Sequence, residues 1–230
     1  MILLNENITV KDIDEYIKDH PHLNQLDVFN TLLFNSQDVE VINYLLENGA
    51  DVNYQNKDGN TPLFFVKHTE IAKLFLLYGA DVNIKNNDGK TALFHCGNLY
   101  ICRLLIRHGA NVNHPDNYGR TPIFYCYDRY KAKFMINNGA NIFILDNDGR
   151  NALSDSFHEV SELLIDFGLM PTTIHSYKRN RELFNEEIQT MFDVFITLTD
   201  CDVDFFAMCL AYQESMKNHV KIEIKDMDIL

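Results

Sequence analysis

The chain has 230 residues, 46% apolar and 23% charged, so it can bury a sizeable core and is not globally disordered. Its formal net charge of -13 disfavours non-specific attachment to nucleic acid phosphates or anionic membranes and favours a basic macromolecular partner. Five cysteines (Cys96, Cys102, Cys126, Cys201 and Cys209) contain no C-x-x-C pair, and read as free thiols of a reducing, cytoplasmic compartment.

At the N-terminus, "MILLNENITVKDID" has a short apolar run but no basic region and no small-residue cleavage site, unlike a signal peptide. No apolar segment reaches the roughly 20 residues that cross a bilayer. Thr9 is a candidate N-cap for a helix ending near Pro21, with Ile13, Tyr16 and Ile17 on one face. Residues 1–23 are expected to form an N-terminal capping half-repeat.

From there the chain repeats. The dipeptide Gly-Ala falls at Gly49, Gly79, Gly109 and Gly139, each step 30 residues. A fifth copy is degraded, with its glycine at Gly168 and the alanine lost. The full unit reads "TPLFFVKHTEIAKLFLLYGADVNIKNNDGK" from Thr61, and its threonine recurs as Thr31, Thr91 and Thr121, with Asn151 in the fifth slot. Thr followed by Pro or Ala predicts a capped helix start. "EIAKLFLLYG" predicts a second helix closed by glycine, and "NNDGK" a turn. The lines Leu45, Phe75, Leu105, Met135 and Leu46, Leu76, Ile106, Ile136 form ladders that one unit cannot bury but stacked units can.

These stretches, "TPLFF", "EIAKLFLLYGADVN" and "DNYGRTPIF", resemble the ankyrin repeat over residues 24–170. The resemblance implies an all-α solenoid of stacked helix pairs with projecting turns. It also implies that the turn tips and first helices line the inner face. Two departures stand out. The family unit is about 33 residues, so the missing turn predicts a shortened first helix or loop. Phe34, Phe64, Phe94 and Phe124 replace the family histidine and predict an apolar ladder.

Beyond Pro171 the pattern stops, and residues 171–230 resemble no family. "YKRNRELFNEEIQTMFDVFITLTD" and "DVDFFAMCLAYQESMKN" read as two helices. Leu183, Phe184, Ile188, Met191, Phe192 and Phe195 stripe the first; Phe205, Phe206, Met208, Leu210 and Tyr212 stripe the second. They form either a C-terminal helical cap or a second recruitment surface, followed by a charged tail from Lys221.

Catalytic and metal signatures are missing from the sequence. "DCDVD" at Asp200–Asp204 resembles the opening of a calcium loop, but Phe205 replaces its glycine and Ala211 its final glutamate. The histidines show no ligand spacing, and no nucleophile elbow, P-loop or dinucleotide fingerprint occurs. No catalytic residue, metal ligand or cofactor is assigned, and the chain is not expected to be an enzyme. Cys96 and Cys126 occupy slots where ankyrin units carry a small alanine, so they read as buried filler. Asn53, Asn83 and Asn113 are expected to hydrogen-bond turn backbone, a series that Phe143 breaks.

A binding surface is expected where copies differ. The resemblance places it at the tips (Lys57, Asp58 and Asn60; Asn87, Asp88 and Lys90; Asn117, Tyr118 and Arg120; Asn147, Asp148 and Arg150) and in loops such as Lys67–Thr69 and Tyr127–Arg129. Tyr125 sits in a slot the family usually buries. Tyr and Arg anchor interfaces, so the expected patch is Tyr118, Arg120, Tyr127, Arg129 and Arg150, with Lys90, Asp88 and Asp128 beside it. The sequence thus points to a protein-binding module, monomeric when unbound, that blocks a basic protein partner such as a toxin met by its immunity protein. The alternative is an adaptor or host-directed effector that uses residues 171–230 for another partner.

Overall fold

Thr9, Asn24, Asp38, Asn98, Asp128 and Thr173 each accept a backbone N–H at the start of a helix. Such caps satisfy donors that helix geometry leaves orphaned. The computed structural model describes residues 8–199, 205 and 207–212, and among these there are helices and turns but no strand. The chain divides into two units, Met1–Asn117 and Tyr118–Leu230.

The first unit contains α1 (Val10–Asp19), α2 (Gln25–Asn35), α3 (Val39–Glu47), α4 (Thr69–Leu77) and α5 (Leu99–Arg107). Thr9 and Asp12 close a reciprocal capping box on α1, and Ile13 is fully buried. α3, α4 and α5 pack against one another in order. Leu45, Phe75 and Leu105 are at most 1% exposed, a burial contributing about 2 kcal/mol per side chain. The neighbouring ladder is weaker: Leu46 is buried, but Leu76 and Ile106 are half-buried. It lies about 100° further round each helix.

The missing residues come out of the first helix, which shrinks to the 3₁₀ turns Pro62–Phe65 and Ala92–His95. The first copy keeps an eleven-residue α2, so Thr31 does not start a helix there. It lies inside α2 and donates to the Asp27 carbonyl. The expected threonine cap is also corrected at Thr61 and Thr91. Both are buried, and neither caps its turn through its side chain. The Thr91 hydroxyl is instead buried, with no hydrogen-bond partner among the described residues. The phenylalanine series is buried at Phe64 and Phe94 and half-buried at Phe34. Its rings meet the next copy one position on: Phe34 contacts Phe65, and Phe64 contacts His95.

The second unit contains α6 (Arg129–Asn137), α7 (His158–Asp166), α8 (Ile174–Asn180) and α9 (Glu186–Thr199), with 3₁₀ turns at Pro122–Tyr125, Ala152–Ser154 and Arg181–Leu183. Thr121 repeats the uncapped pattern. Asn151, in the degraded copy, does cap its turn through Leu153 N–H, and its amide donates to the Met170 carbonyl. The first of the two helices expected after Pro171 is itself divided into α8 and α9, with the break at Phe184. Asn185 accepts the Ile188 N–H and so starts α9 as a new helix. Met170, Ile174, Tyr177, Phe184, Ile188, Phe192, Phe205 and Cys209 form one apolar cluster. From the expected stripes, Leu183 is half-buried and Met191 is exposed. α8 ties back to the Ala152–Ser154 turn: Asn180 donates to the Leu153 carbonyl, and Arg179 to those of Ser154 and Ser156. The Asp200–Asp204 stretch, Phe206 and the tail from Lys221 lie outside the described residues.

Candidate protein-binding surface

The tips of the first unit are a hydrogen-bonded ladder. Asn87 donates its N–H to the Asp58 carbonyl and its Nδ2 to the Lys57 carbonyl, each at 2.9 Å. Asn117 repeats this on Asp88 and Asn87, again at 2.9 Å. Asp88 and Lys90 give their own N–H groups to Asn86 Oδ1. Asn53 and Asn83 do bond turn backbone, as expected, but that of the following copy: each donates to a glycine carbonyl (Gly79, Gly109) and accepts an N–H (Asp81, Asn111). Asn87 and Asn117 are therefore joints between copies.

Beside the short turns of this unit runs an open cleft of about 710 Å³. Phe34, Phe64 and Phe65 give it aromatic surface, Asn35, Gln37 and Asn60 give amides, and Lys67, His68 and His95 stand along it. Burial, then the Lys90 charge, hold the His95 imidazole below its ordinary range, with Asp88 pulling the other way.

In the second unit, Tyr118 and Tyr127 are 62% and 60% exposed. Tyr127 meets the exposed ring of Phe157 edge-on, with centroids 4.9 Å apart. The arginines of the expected patch have partners within the chain. Arg120 Nε bonds Asp146 Oδ2 at 2.9 Å, and its Nη1 lies 3.3 Å from Asp155. Burial opposes the Arg120 charge. The Asp146 hydrogen bond and the charges of Asp146, Asp155 and Tyr125 together outweigh it, and the pKa is raised. Asp146 Oδ1 meanwhile accepts the N–H groups of Asp148 and Arg150, so one carboxylate gathers Arg120 and the Arg150 backbone. Arg150 itself pairs with Asp148. Arg129 is held on α7 by the Glu159 carbonyl, Glu162 and Asp166. Asp128 caps α6. Asp88 and Lys90 belong to the first unit. Tyr125 is half-buried rather than in the core: it ends its turn, at the repeat position where Phe65 is also accessible.

The model of the family described as ankyrin repeats (three copies) matches residues 29–116 and 64–146, just over half of the chain. The chain belongs to the ankyrin-repeat family. No curated protein matches it. In this ankyrin-repeat protein the all-α fold and the role of the repeats as a protein-interaction scaffold agree with the sequence reading. Phe157 and the cleft residues Asn35 and Gln37 escaped that reading. Phe157 lies one period after Tyr127, but the slot reads Lys67, Gly97, Tyr127, Phe157 and so carries no repeated letter. No helix among the described residues is long and apolar enough to cross a membrane. Among them no cluster of three or more His, Cys, Asp or Glu could hold a metal ion.

Proposed function

We propose that this ankyrin-repeat protein binds and blocks a protein partner through Tyr118, Arg120, Tyr127, Arg129, Arg150 and Asp128 of the second unit. The exposed Tyr127–Phe157 ring pair carries the reading. Two exposed rings already packed on each other at the starts of neighbouring helices lose little entropy on binding, and Tyr is a favoured interface anchor. Arg120, Arg129 and Arg150 are each held by carboxylates of the chain, which orders them before a partner arrives. The formal charge of -13 favours a basic partner, such as a toxin neutralised by its immunity protein. A cysteine pattern with no C-x-x-C pair suits a reducing cytoplasm, and the unbound chain is monomeric.

Affinity capture followed by mass spectrometry names the partner. Alanine at Tyr118 and Tyr127 together lowers affinity by about thirty-fold or more, as expected for hot-spot aromatics, without unfolding the chain. Intact affinity in that variant refutes the patch. A basic partner shows an association rate that falls as salt rises.

The adaptor reading is favoured by one observation: Met191, Val194 and Leu210 of the C-terminal helices are exposed. The capping role is favoured by the bonds from α8 to the Ala152–Ser154 turn. Alanine at Met191 and Val194 separates the two, because loss of one captured protein with unchanged stability requires the adaptor.

A further inference from the structure

The cleft of the first unit has a chemistry opposite to that of the whole chain. Its lining holds Lys67, His68 and His95 but no carboxylate, within a protein of formal charge -13. Phe65 is 42% exposed on it, and Phe64 and Phe34 continue the aromatic surface. Gln37 lines it too, and its buried Oε1 has no hydrogen-bond partner among the described residues. The fold supplies the opening. The eleven-residue α2 gives way to the four-residue turns Pro62–Phe65 and Ala92–His95, and the cleft follows that step from Phe34 to Gly97.

We propose that this cleft docks an extended acidic peptide segment of a protein partner, with one bulky apolar side chain on Phe34, Phe64 and Phe65 and its carboxylates on Lys67, His68 and His95. The aromatic surface takes the apolar side chain by burial. Lys67 supplies the permanent charge, and the imidazole N–H groups donate to carboxylate oxygens. An extended backbone suits the site because its N–H groups can be met by the exposed amide of Asn35 on the cleft wall. A basic segment would meet Lys67 as a like charge with no acid in the lining to answer it. Single-stranded nucleic acid is the less favoured occupant, because tracking a phosphate backbone takes a row of fixed cations and the lining provides one.

The proposal rests on the reading of the chain as a protein-binding module and fails separately from it. The chain has no tryptophan, so a peptide indole is a clean fluorescent probe. The full chain is titrated into acetylated, amidated Asp-Glu-Trp-Glu-Asp and into Lys-Lys-Trp-Lys-Lys. The acidic peptide is expected to saturate with a blue shift, and the basic one to bind at least about tenfold more weakly, a difference of about 1.4 kcal/mol. Lys67→Glu and Phe65→Ala, both at exposed side chains, are each expected to weaken the acidic peptide by about tenfold or more, with helical circular dichroism unchanged. No binding, equal binding of both peptides, insensitivity to either substitution, or displacement of the acidic peptide by oligo(dT) overturns the proposal. A failed titration beside partner capture that still depends on Tyr118 and Tyr127 overturns the cleft assignment alone.

Discussion

Gly119→Ala tests whether the projecting tips are packed joints or free loops. Gly119 has φ 77, a left-handed conformation, and a Cβ built on it would lie 2.6 Å from Asn147 Oδ1 and 3.2 Å from Asn147 N. The Asn147 N–H donates to the Tyr118 carbonyl at 2.8 Å, so the clash falls on an inter-tip hydrogen bond. Gly149 is the control, with φ 75 but nothing within 4 Å of its built Cβ. Alanine at Gly149 meets the backbone penalty alone, about 1–2 kcal/mol. Alanine at Gly119 meets the same penalty, and its methyl group also displaces the neighbouring tip, adding about 1–3 kcal/mol by analogy with overpacking and a lost hydrogen bond. Urea unfolding followed by far-ultraviolet circular dichroism measures both variants against the parent chain. Equal destabilisation by the two substitutions would refute the joint.

Three further outcomes are expected. Arg120→Ala leaves the Asp146 carboxylate, 2% exposed, without its counter-charge and destabilises by about 3 kcal/mol, whereas Arg150→Ala breaks an exposed pair and costs at most about 1 kcal/mol in the same urea assay. Tyr177→Phe removes the hydroxyl that donates to Asp193 and to the Gln189 carbonyl, lowering stability by about 1–2 kcal/mol in thermal melts. The Arg181 hydrogen bond, assisted by Tyr177 and opposed by partial burial, holds the Asp193 carboxyl below its ordinary value of 3.8. A depressed carboxylate stabilises fully above the unfolded value, and the contribution is lost as pH falls through the folded one. Melts of parent and Asp193→Asn should therefore differ at pH 7 and converge as the pH falls below the ordinary carboxyl value of 3.8; a gap that stays constant across that fall refutes this.

What the sequence revealed follows from periodicity. Leu45, Phe75 and Leu105 recur because each copy solves the same packing problem, and all three are buried. The roles of polar residues were harder to read. Thr61, Thr91 and Thr121 look like caps by composition, yet none caps its turn through the side chain, and at Thr91 and Thr121 the hydroxyl is buried with no hydrogen-bond partner among the described residues. Asn87, Asn117 and Asn147 were grouped with variable tip residues, although their 30-residue recurrence already marked them as scaffold. Arg120 and Asp146, 26 residues apart, form a pair that no local pattern announces. The cleft escaped because it depends on the step between a long helix and two short turns, a feature of three dimensions.

The thiols of Cys96, Cys102, Cys126 and Cys209 are buried, and burial pushes that of Cys209 up to about 12. Alkylation needs a solvated thiolate, so a maleimide reaches these sulfurs when the surrounding helices part. Cys96 and Cys102 sit in one unit, Cys126 and Cys209 in the other. Peptide-resolved labelling rates would therefore time the breathing of each half separately, with no engineered probe.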